Sequence, residues 1–146
     1  MKAVLFTDGG ARGNPGPAGI GVVLSDLKGK VLGEIGEPIG TATNNVAEYK
    51  ALIAGLELAI ESGVTEIDVK VDSKLISQQV QGNWKIKNER LRGLAARAQG
   101  LTSKFAVFSI AHVPRAQNAR ADELANIGMD SATDLDEGFE QGSFDQ

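Results

Sequence analysis

The chain has no cysteine, and among its 146 residues there is one histidine, one tryptophan and one tyrosine. Without cysteine there can be no disulfide and no thiolate metal site, and His112 alone leaves too few nitrogen ligands for a zinc site of the usual kinds. No run approaches the roughly 18 uninterrupted apolar residues of a membrane span. The first residues form a strand-like apolar run instead of a charged segment followed by an apolar one, so no secretory leader is expected and the chain reads as soluble and cytoplasmic. A nucleotide-binding loop is also missing, because Arg12-Gly13-Asn14-Pro15-Gly16 lacks the Gly-Lys-Ser/Thr ending that such loops require. The final segment has no basic residue: 130–146 holds six acids, among them Asp130, Asp134 and Glu137, and neither Lys nor Arg. The formal charge of −4 therefore misrepresents the rest, since 1–129 carries thirteen acidic against fifteen basic residues. Attraction to phosphates depends on local basic surface, and that part of the chain does not exclude it.

With 42% hydrophobic and 23% charged residues, the composition is that of a soluble globular protein, long enough for one domain with its own core. Residues 2–7, Ile20–Leu24 and Val31–Ile39 read as three consecutive antiparallel strands, the last two joined by a turn at Asp26-Leu-Lys-Gly29. Val46, Tyr49, Ile53, Leu56 and Ile60 recur at helical spacing, in a helix that opens at Asn44-Asn45 and stops near Gly63. Thr65–Val71 alternates and is β-branched, so it is expected as a strand. A short helix over 73–80, a helix over 89–101, a strand over 105–113 and a helix over 116–129 complete the order βββ-α-β-α-α-β-α. That order implies an α/β fold with a mixed sheet and helices packed on it. The domain is expected to occupy 1–129, with 130–146 an acidic flexible tail or a linker to a further domain.

Four acids stand at comparable boundaries. Asp8 follows the first apolar run, just before a segment dense in Gly and Pro that permits close backbone approach to a ligand. Asp72 ends a strand, Glu48 lies early in a helix, and Asp122 sits in the last helix. Each has a plainer alternative: Asp8 as a turn residue, Glu48 paired with Asn45 in a capping box, Asp72 as a helix cap, Asp122 on a solvated face. If the first and fourth strands are neighbours, however, the four can meet at one sheet edge. Carboxylates crowd together only with a cation, because like charges raise one another's pKa at a cost of several kcal/mol. A pair of Mg²⁺ ions, which prefer carboxylate and water oxygens, resolves that conflict and suits phosphodiester chemistry.

The segments Asp8-Gly-Gly-Ala-Arg-Gly-Asn14-Pro-Gly-Pro-Ala-Gly, Thr43-Asn44-Asn45-Val-Ala-Glu48-Tyr-Lys-Ala-Leu, Val71-Asp72-Ser73 and Ala121-Asp122-Glu-Leu-Ala resemble, in order and spacing, the four signature blocks of type 1 ribonuclease H. The resemblance spans about residues 1–129. It implies a ribonuclease H-like fold: a five-stranded mixed sheet, its first three strands antiparallel, with helices on both faces. It further implies endonucleolytic cleavage of the RNA strand of RNA–DNA hybrids, leaving 5′-phosphate and 3′-hydroxyl ends. Asp8, Glu48, Asp72 and Asp122 would be catalytic ligands of two Mg²⁺ ions, with Mn²⁺ the alternative. Asn14, Thr43, Asn44 and Asn45 match positions that contact the hybrid, and Ser73 and Arg115 are further candidates for phosphate contact. The partner is then an RNA–DNA hybrid rather than a membrane, and the protein is expected to act as a monomer.

Two departures stand out. The basic protrusion with which some members grip the hybrid is reduced here to a connector, 81–89, with Trp84, Lys85 and Lys87. Trp84 is either a stacking residue or a core or rim aromatic, and hybrid affinity is expected to be weaker and more salt-sensitive. His112 precedes Asp122 by the spacing of a histidine that assists many members, but it reads as a strand residue, with Arg115 the substitute. Two other readings stay open: a non-catalytic nucleic-acid-binding module of the same fold, and the nuclease domain of a larger protein that also cuts double-stranded RNA.

Overall fold

In strand β1 (Lys2–Ala11), Ala3, Leu5 and Thr7 are buried on one face while Phe6 packs on the other, the period-two pattern of a strand covered on both sides. The structure, a computed structural model, describes the backbone of residues 1–144 and the side chains through Thr133. Strands β2 (Gly16–Asp26) and β3 (Val31–Ala42) continue from β1 as an antiparallel meander. Strand β4 (Glu66–Val71) adds to the other edge of β1 in parallel, and β5 (Val107–His112) adds to β4 in parallel. The order β3-β2-β1-β4-β5 is the five-stranded mixed sheet expected, with its first three strands antiparallel.

Helices cover both faces. Helix α1 (Asn44–Glu61) buries Leu52, Ile53 and Leu56 against Leu5, Leu24 and Val69, and α3 (Glu89–Thr102) adds Leu91, Ala95 and Ala98 to the same core. Each such Leu or Ile contributes about 1.5–3 kcal/mol on leaving water. Tyr49 is fully buried there, and its hydroxyl donates to Gln79 Oε1 at 2.7 Å, on α2 (Lys74–Val80). Helix α4 (Ala119–Phe144) lies on the opposite face, where Ala121 and Leu124 meet Val23 and Phe6. Among the described residues no helix is long and apolar enough to cross a membrane.

The boundaries depart from the sequence reading in four places. β1 runs through Gly9 and Gly10, which stay paired with Ile20 and Gly19, so Asp8 lies inside the strand and not at its end. Thr43, not Asn45, caps α1: its backbone is extended and its hydroxyl accepts from Val46 N–H at 3.3 Å, so Glu48 belongs to no capping box. Ser73, not Asp72, caps α2, accepting from Ile76 N–H at 3.2 Å. A 3₁₀ turn (Arg115–Asn118) precedes α4, and the helix continues past Met129 to Phe144. The stripe Ala121, Leu124, Ala125, Met129, Ala132 stays buried, so the folded unit reaches beyond the boundary placed at 129. The side chains of the acidic segment from Asp134 on, and Asp145 and Gln146 altogether, lie outside the described residues.

Candidate metal centre

The last rung of the parallel β1–β4 ladder pairs Thr7 with Val71, so Asp8 and Asp72 are the next residue of each strand and stand side by side. This is the carboxyl end of parallel strands, where open α/β sheets place their ligands. Glu48, from the second turn of α1, joins them. Oxygen atoms of Asp8, Glu48 and Asp72 all lie within 4.8 Å of one another. Asp122, in the first turn of α4, stands outside that group of three but lines the same cleft from the opposite face, near enough to raise the pKa of Asp8. All four line one open cleft of about 410 Å³, with Arg12, Asn44, Arg115 and Asn126 around it.

Two glycines let both helices come this close. Gly9 follows Asp8 and faces α1, where a Cβ would strike the Ala47 carbonyl and lie 2.7 Å from Glu48 N. Gly21 pairs with Asp8 across the β1–β2 ladder and faces α4, where a Cβ would strike the Ala121 carbonyl and lie 2.6 Å from Ala125 N. The residues flanking Asp8 thus admit the backbones that carry Glu48 and Asp122. The sequence reading credited the glycine-rich segment with close backbone approach to a ligand, and not to the two helices.

The cluster carries the electrostatic marks of a cation site. Burial is the largest influence on Asp8, and the neighbouring Asp72, Asp122 and Glu48 add to it, pushing its pKa up to about 8. Burial raises Glu48 to about 7, opposed by a hydrogen bond from Ser73 and reinforced by Asp72. Asp72 is raised as well, first by burial and then by Asp122, while Arg115 and Asn118 pull it down. Each shift favours the neutral acid, and a divalent cation would reverse all three. The donors are all carboxylate oxygen, which suits a hard cation of the Mg²⁺ or Mn²⁺ kind.

The other expected site residues fall around this cleft in different ways. Arg115 reaches Asp122 Oδ1 at 3.1 Å. Asn14 Oδ1 accepts from Asn44 N–H at 3.0 Å, and Asn44 Oδ1 accepts from Ala11 N–H at 2.9 Å, tying the glycine-rich hairpin to the start of α1. Thr43 and Ser73 hold the caps already described, and Asn45 is the second residue of α1. His112 is the last residue of β5, a strand residue as expected, and it is exposed. Trp84 is 44% exposed on the connector after α2, with Lys74 Nζ 5.9 Å from its ring centroid. Arg120 spends its guanidinium on Glu34 and Glu123. The sequence reading missed Arg12, which bonds Asn126 Oδ1 and Asp130 Oδ1, each at 2.9 Å, on the cleft wall.

Fold and cleft together define an α/β protein with a carboxylate cluster that could hold a cation between its central parallel strands and its last helix. A family model described as reverse transcriptase-like matches residues 6–128. A bifunctional protein of Mycobacterium tuberculosis is 52% identical over 133 residues, covering 90% of this chain and 36% of that protein. A ribonuclease HI of Halobacterium salinarum is 48% identical over 87% of this chain and 64% of its own length. The crystal structure of the RNase H1 from that archaeon superposes with a TM-score of 0.88 at 46% identity, covering 90% of this chain and all of that one. A ribonuclease H1 isolated from compost and crystallised with an RNA/DNA hybrid gives 0.84 at 46% identity, over 90% of this chain and 99% of that one. The chain belongs to the ribonuclease H family. It spans about a third of the length of the mycobacterial protein and somewhat under two thirds of the haloarchaeal one.

Proposed function

We propose that this chain is an endonuclease that hydrolyses the RNA strand of RNA–DNA hybrids, leaving 5′-phosphate and 3′-hydroxyl ends. The observation that carries the reading is the convergence of Asp8, Glu48 and Asp72 within 4.8 Å, with Asp122 on the same cleft. Capping does not explain Glu48 or Asp72, because the caps are supplied by Thr43 and Ser73. An intact carboxylate set also disfavours a non-catalytic binding module. The relative crystallised with an RNA/DNA hybrid supports the choice of substrate.

Asp8, Glu48, Asp72 and Asp122 would hold a pair of Mg²⁺ ions, with Mn²⁺ the alternative. When bound, such ions supply Lewis acidity toward a phosphodiester and the positive charge that lets the carboxylates ionise together. The raised pKa of Asp8 means that cation binding there would be coupled to loss of a proton from this group. Arg115, on the rim, balances Asp122 and would turn to a substrate phosphate. Asn14 and Asn44 use their Oδ1 atoms inside the protein, so their amide N–H groups serve for 2′-hydroxyls and base edges in the wide minor groove. Asn45, Thr43 and Ser73 extend that contact surface along the first turns of α1 and α2.

Labelled RNA–DNA hybrid, double-stranded RNA and double-stranded DNA, each incubated with Mg²⁺, test the reading. Only the RNA of the hybrid should be cut, and Asp72→Asn should abolish cutting while the fold persists. Equal cutting of all duplexes, or full activity in the variant, would reject it. The mycobacterial relative, of which this chain spans 36%, favours a second reading in which the chain is the nuclease part of a larger protein and the acidic segment from 134 on is its linker. A monomeric, cytoplasmic enzyme is consistent with either.

A further inference from the structure

Asn118 closes the 3₁₀ turn before α4 and is 1% exposed. An asparagine in the residue before a helix ordinarily spends its side-chain oxygen on the helix N–H groups. Here Oδ1 makes no hydrogen bond among the described residues. The donor end is engaged instead. Nδ2 donates to the Thr7 carbonyl at 2.9 Å, and the side chain lies near enough to the Asp72 carboxylate to pull its pKa down. A buried polar side chain is normally satisfied at both ends, so one that satisfies only its donor is held by what the donor touches. Thr7 immediately precedes Asp8 and closes the β1–β4 ladder, Asp72 is the first residue past β4, and Asp122 lies one helical turn beyond Asn118.

We propose that Asn118 is a positioning residue: its amide fixes β1, β4 and α4 relative to one another, so that Asp8, Asp72 and Asp122 face a single cation-binding cleft. The inference rests on reading those carboxylates as metal ligands. Outer partners that orient metal ligands typically change metal affinity or activity by about 10- to 100-fold when removed. Nothing in the role requires Asn118 to touch substrate, so hybrid binding should not depend on it.

Two variants test this, Asn118→Ala and Asn118→Leu, the second filling the site while removing the donor. Each is titrated with Mn²⁺ in a calorimeter without nucleic acid, assayed on hybrid for kcat and KM, and melted to check cooperative folding. The expected result is folded protein, Mn²⁺ affinity and kcat both lower by about 10- to 100-fold, and KM for the hybrid unchanged. A merely structural residue would lower the melting temperature and leave Mn²⁺ affinity and kcat of the folded protein where they were. That outcome, or loss of cooperative folding in both variants, overturns the proposal. If the unsubstituted protein binds no Mn²⁺ and leaves the hybrid uncut, the metal-centre reading itself fails and takes this inference with it.

Discussion

Gly21 sits opposite Asp8 in the β1–β2 ladder, and the space its side chain would need is taken by the Ala121 carbonyl and Ala125 N. Gly21→Ala should therefore push α4 off the sheet, destabilising the protein by about 1–3 kcal/mol and weakening Mn²⁺ binding as Asp122 withdraws from Asp8. Gly93 is the contrast. It lies inside α3 with nothing near its missing Cβ, so Gly93→Ala should stabilise by roughly 0.5–1 kcal/mol. Urea unfolding of both variants checks the pair, and equal stability of Gly21→Ala and the unsubstituted chain would refute the close-approach account. At this scale the acids were legible because charged residues at the ends of apolar runs are conspicuous. The glycines were not, since a glycine that frees a turn and one that admits a neighbouring backbone are spelled alike. Arg12 was hidden for a related reason: its partners Asn126 and Asp130 lie more than a hundred residues downstream.

Helices α1 and α2 each begin where two or three polar residues stand in a row, and only backbone conformation decides which of them caps. Thr43 and Ser73 are extended, at φ −81° and −95°, and each takes the cap, leaving Glu48 and Asp72 without that duty. Thr43→Ala and Ser73→Ala should each lower stability by about 1 kcal/mol, seen as a lower thermal midpoint. Asn45→Ala should cost no cap, and a loss as large as that of Thr43→Ala would show the assignment to be wrong. Element order and strand direction were readable from period and punctuation. The extents of β1 and α4 were not. Gly9 and Gly10 have little strand preference of their own and are held by pairing with β2, while past Met129 the buried face of α4 is marked among the described residues by Ala132, too small to signal an amphipathic helix.

Over the whole molecule the carboxylate cluster links stability to pH. Asp8 has a pKa of about 8 and Glu48 of about 7, against ordinary values of 3.8 and 4.5. Between those limits the folded chain keeps protons that the unfolded chain has already released. Stability without divalent cations therefore falls as pH rises through this window, and levels off above the folded pKa values. Divalent cations bind the ionised carboxylates, so the gain from saturating Mg²⁺ should grow over the same range. Calorimetric melts at about pH 5, 6.5 and 8, with Mg²⁺ and with chelator, test both slopes. A chelated melting temperature that rises or stays flat across the window would mean that burial and mutual repulsion do not raise these acids as described.

The seating of α4 directly on β2, glycine to backbone, also sets the order in which the carboxylate cluster can assemble. Three of the acids belong to segments made early, but the fourth arrives only when the last helix docks. Until residues 119 onward have emerged and closed over the sheet, the nascent chain has only three of its four clustered carboxylates in place, so the complete cluster is a late product of folding.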